Sequence, residues 1–244
     1  MHSRDVTIVI PTSVIPSHPD TRIIEETIDS IRHYFPDNEI ILQVDGLRDE
    51  RLDWKDRYDE YKNRILWKCL HEWKNVLPII FTEHRHQTSM MKDTIDLINT
   101  SLLLYVESDT PLIKDKINLQ KCLDMLESDD CNTVRLHHMD SIPEEHFYLM
   151  LERKNDFIKT IQWSQRPHLS KVSFYRDVVL EQSQDKEFIE DRFYGYTVSS
   201  DWDLTKTWIY YPNDGKDIKT SYHLDGRAGT RKFTSDDIAW GLTE

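Results

Sequence analysis

The sequence predicts an α/β fold: a mostly parallel central sheet flanked by helices, followed by a smaller, mixed antiparallel C-terminal portion. Short apolar runs alternate with segments of helical periodicity through the first half of the chain. Those runs are rich in β-branched residues and stop at a proline or an acid, as strands buried on both faces do. Beyond the fourth run the alternation loosens. A length of 244 residues suits one domain, 1–244, with halves at 1–113 and 114–244.

The first half holds four predicted strands and the helices between them. "VTIVIP" is the first strand, and after a proline-rich loop Ile24, Ile28 and Ile31 recur at helical spacing. "EIILQVDG" and "LPIIFTEH" are the second and third strands, on either side of an amphipathic helix over 51–73, with Leu52 and Leu66 on its apolar side. "MMKDTIDLI" predicts a helix and "LLLYVE" the fourth strand.

The second half is predicted to mix helices with antiparallel strands. Residues 114–128 form a predicted helix and "NTVRLHHM" a strand. "HFYLMLER" and "FIKTIQWS" indicate antiparallel pieces, "KVSFYRDVVLEQ" a strand that passes into a helix, and "KEFIEDRFYGYTV" a helix. "KTWIYYP" and "KTSYHLDG" are predicted to close the fold as a pair.

Composition excludes several classes of protein. With 44 acidic and 31 basic residues the net charge is -13, which disfavours general binding to nucleic acid or anionic membranes. The three cysteines have neither disulfide-framework nor zinc-ligand spacing, so we expect reduced thiols and a cytoplasmic protein. No apolar run is long enough for a signal peptide or a membrane span.

Two acids follow the fourth strand in "SLLLYVESDTPLI". Side chains two apart on a strand share a side, so Glu107 and Asp109 are expected to face one ligand while Ser108 turns away. A hard cation such as Mg²⁺ or Mn²⁺ takes few carboxylates and completes its shell with water and phosphate, which suits a metal-bound diphosphate. The alternative is a solvated turn, since "ESDTP" also has turn composition.

In their order and intervals, "VTIVIPT", "LQVDG", "LLLYVESDT" and "FIEDRF" resemble the GT-A fold glycosyltransferases, in particular the family 2-like group. The resemblance is clear over 6–111 and thinner beyond. It implies a Rossmann-like fold and transfer of a hexose from a nucleotide-diphosphate donor, a UDP-sugar, to an acceptor hydroxyl. It further implies that 1–113 binds the nucleotide and that 114–244 forms the acceptor side.

The resemblance also implies donor-binding residues. Pro11 and Thr12 match the loop that contacts the nucleoside, and Asp45 matches the acid that meets the base or ribose. Gly46 stands where the family often has a second acid. The candidates for contact with the donor phosphate or sugar, against the alternative of a basic loop on a solvated face, are Arg85 and Lys92.

Glu107 and Asp109 match the family's metal-binding acid-x-acid element, with Glu in place of the usual first Asp. The longer side chain favours Asp109 as the principal ligand of Mn²⁺ or Mg²⁺ and places Glu107 nearer the ribose. His223 is the expected third ligand, because several GT-A enzymes complete the metal shell with a late histidine.

The acceptor side is predicted from "KEFIEDRF". Glu190 and Asp191 match the family's acidic pair, and Asp191 is the expected base, because a hydroxyl becomes an effective nucleophile when a carboxylate removes its proton. Such attack inverts the anomeric carbon. The alternative is a pair of surface helix acids.

Other residues are predicted near the two sugars or the diphosphate. Trp163 is a candidate platform under a sugar ring, with core packing as the alternative. At most one of His137 and His138 is expected to serve, because neighbours on a strand point opposite ways. Further candidates are Gln165, Arg166 and His168 for sugar hydroxyls, and Arg227, Arg231 and Lys232 for closure over the diphosphate, unless that segment is a frayed tail.

Two other hypotheses use the same scaffold. A silent carbohydrate-binding or assembly module would bind sugar without metal. A nucleotidyltransferase would also use acids for Mg²⁺, but it normally begins with a glycine-rich, basic loop, and "PTSVIPSHPD" is neither. The expected partners are therefore a nucleotide-sugar donor and a saccharide or other hydroxyl-bearing acceptor.

Overall fold

The structure is a computed structural model that describes residues 5–224. The strands are β1 (Val6–Thr12), β2 (Ile40–Val44), β3 (Val76–Ile80), β4 (Leu102–Tyr105), β5 (Thr133–Arg135), β6 (Met150–Lys154), β7 (Phe157–Thr160), β8 (His168–Lys171) and β9 (Thr207–Tyr210). The helices are α1 (Arg22–Tyr34), α2 (Lys55–His71), α3 (His86–Thr94), α4 (Leu119–Glu127), α5 (Val172–Phe174), α6 (Ile189–Ser199) and α7 (Trp202–Thr205).

One sheet runs through both predicted halves, in the order β3-β2-β1-β4-β8-β5-β9-β7-β6. The first four strands are parallel, whereas β8 pairs antiparallel with both β4 and β5. β9 is parallel to β5, and β7 and β6 continue outward as antiparallel strands. The predicted α/β class, with a parallel first half and a mixed second half, is confirmed.

The chain reverses its direction across the sheet between β1 and β4. From β1 it moves outward to β2 and β3, and then returns to β4 on the other side of β1. In α/β sheets this topological switch point opens a crevice beyond the carboxyl ends of the strands. The fold therefore places the ends of β1, β2 and β4 around one crevice.

Helices on both faces explain why the central strands are buried throughout and mostly apolar. Every residue of β1, β2 and β4 is buried. Ile8 and Ile10 belong to one core cluster with Ile28 of α1 and Tyr58 of α2. Residues on the other face of the sheet, Val9 among them, form a second cluster with α3 and α6.

The predicted helix over 51–73 is shorter than expected. A 3₁₀ segment occupies Asp49–Trp54, and α2 starts only at Lys55. Leu52 is 60% exposed and Leu66 is 37% exposed, so their assignment to the apolar side was wrong. Leu52 lies before the α-helical period begins, and Leu66 is rotated by about 100° from its buried neighbour. The buried residues of α2 are Tyr58, Tyr61 and Ile65.

The predicted closing pair is also wrong. β9 is flanked by β5 and β7, and "KTSYHLDG" does not pair with it. Instead, Lys219 forms a bridge with His137, and Ser221 forms a bridge with Leu112. The segment therefore crosses the sheet edge near the end of β4, which carries His223 towards the crevice.

Two expectations about the environment can be compared with the structure. Cys69, Cys122 and Cys131 are all free. Among the helices of residues 5–224, none is long and apolar enough to cross a membrane.

Candidate active site

Two adjoining cavities lie at the carboxyl edge of the parallel strands. The first, of about 270 Å³, is lined by Pro11 and Thr12 of β1, by Asp45 after β2 and by the segment after β4. The second, of about 500 Å³, is lined by residues from both halves of the chain, including Glu190 and Asp191. The residues that line both cavities are Glu107, Phe188 and His223.

The acid-x-acid element is a turn beyond β4. The Thr110 N–H donates to the Glu107 carbonyl at 3.1 Å, and the Thr27 hydroxyl donates to the Ser108 carbonyl at 2.8 Å. Because the extended backbone has ended, strand alternation no longer applies, and Ser108 lines the first cavity together with Glu107 and Asp109. The expectation that Ser108 turns away was wrong.

The two acids of this turn have different partners. Gln87 Nε2 donates to Glu107 Oε1 at 2.7 Å. Asp109 Oδ2 lies 3.2 Å from His223 Nε2, and the Leu224 N–H donates to the Asp109 carbonyl at 2.7 Å. The Asp109 carboxylate raises the pKa of His223, while burial, followed by repulsion from Asp109, raises the pKa of Glu107.

These contacts bear on the predicted metal site. Asp109 and His223 place a carboxylate oxygen and an imidazole nitrogen side by side. Both are atoms that can coordinate Mn²⁺. Glu107 is instead held by Gln87. Within residues 5–224 no three His, Cys, Asp or Glu side chains are grouped so as to hold an ion. The structure thus brings together two of the three expected ligands.

Asp45 holds the loop that leads into α3. Its carboxylate is 1% exposed and accepts hydrogen bonds from the backbone N–H groups of Gly46, Arg85 and His86 at 2.8, 2.7 and 3.1 Å. His84 Nδ1 lies 2.8 Å from the same carboxylate. Asp45 also lines the first cavity, and its contact with a base or ribose stays a prediction.

Gly46 has a packing reason to lack a side chain. A Cβ at this position would lie 2.0 Å from the carbonyl carbon of Glu83. Leu47 and Glu83 form a parallel bridge that brings the two backbones this close. The absence of a second acid after Asp45 is therefore required by the fold of the loop.

Arg85 and Lys92 do not reach either cavity. Arg85 Nε donates to Asp93 at 2.9 Å, and Lys92 Nζ donates to Asp185 at 2.7 Å, both at the protein surface. The cation that lines the first cavity is Arg48, which follows Asp45 closely in sequence and was missed.

His86 was also missed, although it lines the first cavity. Its φ of 62° lies in the left-handed region, and its N–H is bound by Asp45. Its ring packs edge-on against Phe188 with centroids 4.4 Å apart. No sequence signal marks this role, because it depends on the contact between α3 and the start of α6.

The predicted acidic pair lies at the N-terminus of α6, facing the second cavity. Glu190 and Asp191 are in the first turn, where the helix dipole stabilises carboxylates. Glu190 Oε2 accepts the backbone N–H of Gln165 at 3.1 Å. The carboxylate of Asp191 is exposed and makes no hydrogen bond or ion pair with the described residues.

Two predicted sugar contacts belong to the core. Trp163 and His168 are both 0% exposed. Trp163 packs edge-on against Phe193 at 4.6 Å, and His168 packs against both Tyr105 and Tyr175. Burial lowers the pKa of His168 to about 4. Core packing, the stated alternative for Trp163, describes both side chains, although Trp163 also borders the second cavity.

The remaining predicted residues divide into three groups. Gln165 and Arg166 line the second cavity. His137 and His138 both line it as well, since β5 ends before them and strand alternation no longer applies; that at most one of them serves a sugar stays a prediction. Three residues lie outside the described part of the chain: Arg227, Arg231 and Lys232.

Comparison with known proteins gives matches only at the level of three-dimensional structure. No family model matches the sequence, and no curated protein matches it. The structure of S. aureus TarS 1-349 in complex with UDP-GlcNAc superposes with a TM-score of 0.54 at 11% identity, over 96% of this chain and 64% of that one. The structure of GalNAc-T7 with UDP, GalNAc and Mn²⁺ superposes with a TM-score of 0.54 at 11% identity, over 92% of this chain and 44% of that one.

The chain has a GT-A fold. A third similar structure is 4-diphosphocytidyl-2C-methyl-D-erythritol synthase from Anaerococcus prevotii, with a TM-score of 0.51 at 12% identity, over 99% of this chain and 98% of that one. The GT-A resemblance is thus confirmed for the fold, which nucleotidyltransferases share. This chain spans 36% of one TarS structure and 60% of another.

Proposed function

We propose that this chain is a glycosyltransferase that moves a hexose from a UDP-sugar to an acceptor hydroxyl, with inversion. The observation that carries the proposal is the pair of cavities with a common wall. The first lies at the strand ends where α/β sheets bind ligands, and the second presents an exposed carboxylate, Asp191. A donor and an acceptor in adjoining cavities would meet near Glu107 and His223.

In the first cavity, Pro11, Thr12 and Asp45 would contact the nucleoside. Thr12 is fixed for this by its hydroxyl, which lies 3.1 Å from the hydroxyl of the buried Tyr61. Asp45 is fixed by its three backbone donors. Such rigid surroundings lower the entropy cost of binding a nucleotide.

Asp109 and His223 would hold Mn²⁺ or Mg²⁺ together with the donor diphosphate. The ion, when bound, supplies a Lewis acid for the charge of the leaving diphosphate. His223 would have to be neutral to ligate a metal. Its direct contact with Asp109 would then be replaced by an ion that both residues hold. Gln87 donates to Glu107, which would lie beside this position and nearer the ribose.

In the second cavity, Asp191 would remove the proton of the acceptor hydroxyl as the new bond forms. Its carboxylate faces the cavity without a competing partner among the described residues, and the α6 N-terminus stabilises its charged form. Glu190 holds the backbone of Gln165 and so positions the cavity wall. Attack from this side, opposite the diphosphate, gives inversion.

A nucleotidyltransferase is the second candidate. It is favoured by the similarity to the synthase from Anaerococcus prevotii, which extends over 99% of this chain and 98% of the synthase. The absence of a glycine-rich basic loop after β1 counts against it. The two are separated by product: a nucleotidyltransferase releases pyrophosphate from a nucleoside triphosphate, whereas a glycosyltransferase releases a nucleoside diphosphate.

The deciding experiment is calorimetric titration of UDP, GDP, CDP and dTDP, each with Mn²⁺ and with EDTA. Wild type is compared with Asp109→Ala and with a control, Asp96→Ala, whose side chain is 84% exposed and lines neither cavity. Binding of one nucleotide that requires both metal and Asp109 supports the proposal. Absence of binding to every nucleotide overturns it and favours the silent module.

A further inference from the structure

Arg135 is a buried cation at the floor of the second cavity. It ends β5, is 3% exposed and lines that cavity. Its Nη1 donates to the backbone carbonyl of Gln162 at 2.6 Å and to the Gln162 side chain at 3.4 Å. Its Nε makes no hydrogen bond within the described residues. A buried guanidinium with free donors is costly unless an acceptor arrives.

No carboxylate of residues 5–224 pairs with Arg135. Its hydrogen bonds go only to the uncharged Gln162, and Glu190 acts on it from beyond ion-pair distance. Burial lowers the pKa of Arg135 to about 10, as expected of a cation whose charge is incompletely compensated. The described residues thus give this charge no ion-pair partner, and Glu190 compensates it only in part.

The surroundings of Arg135 are positive as well. Burial lowers the pKa of His137 to about 4 and that of His138 to about 2, and the charges of Arg135 and Arg166 contribute to lowering both values. Within the described residues, the acids that line the cavity, Glu107, Glu190 and Asp191, form no ion pair with Arg135, although Glu190 acts on its charge from a distance. The charge of Arg135 is therefore compensated only in part.

A second buried group of this cavity lacks a partner too. His137 is 5% exposed, and its Nδ1 makes no hydrogen bond within the described residues, whereas the Gln165 side chain lies beside the Tyr105 hydroxyl. His137 Nε2 lies 3.3 Å from the Ser141 carbonyl and so carries the ring proton, which leaves Nδ1 as an acceptor that needs a donor, whereas Arg135 Nε can only donate. A simple anion would serve Arg135 alone. A ligand with both an anionic group and hydroxyl groups would serve both.

We propose that the second cavity binds an acidic sugar, a saccharide unit that carries a carboxylate or phosphate, with Arg135 as the contact for the anionic group. In this arrangement sugar hydroxyls lie at His137 and Asp191. The identification of this sugar as the acceptor rests on the proposed function, but the binding itself does not. Its anionic group supplies the ion-pair partner that Arg135 lacks among the described residues.

The test is a ligand titration of the isotope-labelled protein, monitored by NMR, in the absence of nucleotide and metal. The probes are D-glucuronate, D-glucose 6-phosphate, D-glucose and inorganic phosphate. At least one acidic sugar should bind about tenfold or more tightly than D-glucose, the difference expected for one charge-assisted contact. Equal affinity of all three sugars overturns the proposal. Phosphate binding as tight as that of D-glucose 6-phosphate also overturns it, since the cavity would then bind bare anions.

Variants assign the contact. Arg135→Gln should abolish the preference for the acidic sugar, and Arg135→Lys, which keeps the charge, should retain part of it. The matched control is Arg153→Gln, a basic side chain that is 39% exposed and lines neither cavity. A preference that survives Arg135→Gln overturns the assignment. If Arg135→Gln does not fold, the wild-type comparison still decides the proposal. The assay contains neither nucleotide nor metal, so its result does not depend on whether the glycosyltransferase proposal is correct.

Discussion

The two cavities differ in how their polar groups are satisfied. In the first, Asp45 accepts three backbone hydrogen bonds, Glu107 is bound by Gln87 and Asp109 contacts His223. In the second, the Nε atom of Arg135 is buried and has no partner among the described residues. His86 Nδ1 and Gln87 Oε1 of the first cavity also lack partners within the described residues, but its three carboxylates are all held by the protein. The second cavity differs because it has a buried cation that a ligand would complete.

Asp191→Asn gives the largest expected difference between the cavities. Loss of the base should lower turnover by about a hundredfold to ten-thousandfold. Nucleotide binding in the first cavity should be unchanged, because Asp191 does not line it. Steady-state rates combined with calorimetry measure both quantities. Turnover within about tenfold of wild type would remove Asp191 from the chemistry.

Gly46→Ala tests the backbone contact beneath the first cavity. The new Cβ would lie 2.0 Å from Glu83, so we expect a loss of about 3 kcal/mol in the free energy of unfolding, measured with urea. The control is Gly195→Ala in α6, where nothing lies within 4 Å. That variant should be neutral or more stable by about 1 kcal/mol. Equal stability of the two variants would contradict the close approach.

Asp45→Asn tests whether the first cavity is held by a charged acceptor. The amide keeps one acceptor oxygen and turns an N–H₂ group towards backbone donors, which should cost about 2 kcal/mol of unfolding free energy. Asp93→Asn, which removes only the surface partner of Arg85, should cost less than about 1 kcal/mol. Denaturant unfolding of both variants decides, and a cost at Asp45 no larger than that at Asp93 would refute the role.

Acid should destabilise the protein through buried histidines. Burial lowers the pKa of His18 to about 3 and of His137 to about 4, against 6.5 for a free histidine. Because the unfolded chain takes up these protons first, stability is complete above about pH 6.5 and falls towards pH 4. The slope is about 1.4 kcal/mol per pH unit for each histidine. His18→Phe should reduce the slope of unfolding free energy between about pH 6 and pH 5 by this amount. An unchanged slope would contradict the burial of a neutral ring.

The smallest effects concern the basic residues near the first cavity. Arg48→Gln should weaken nucleotide binding by less than about tenfold, because Arg48 is exposed. Lys92→Gln should leave the affinity unchanged, since Lys92 pairs with Asp185 away from the cavity. Calorimetry with the nucleotide that wild type binds compares the two. A larger loss of affinity for Lys92→Gln than for Arg48→Gln would support the prediction from sequence that Lys92 contacts the donor.

Sequence patterns predicted the parallel half of the sheet well because its information is local. β1, β2 and β4 are buried on both faces and therefore appear as mostly apolar runs. The positions of Asp45 and Glu107 at the strand ends followed directly. The second half was predicted less well, since β5 and β9 are short and pair with strands distant in sequence.

The sequence by itself determined the α/β class, the acids beyond β2 and β4, and the acidic pair of α6. The tertiary structure alone decided which groups are free. It placed Trp163 in the core, bound Arg85 and Lys92 to surface acids, and brought His223 to Asp109. It also left Arg135 buried without an ion-pair partner among the described residues. The physical reason is that strand and helix periods are set by neighbouring residues, whereas burial and pairing depend on contacts between residues far apart in the chain.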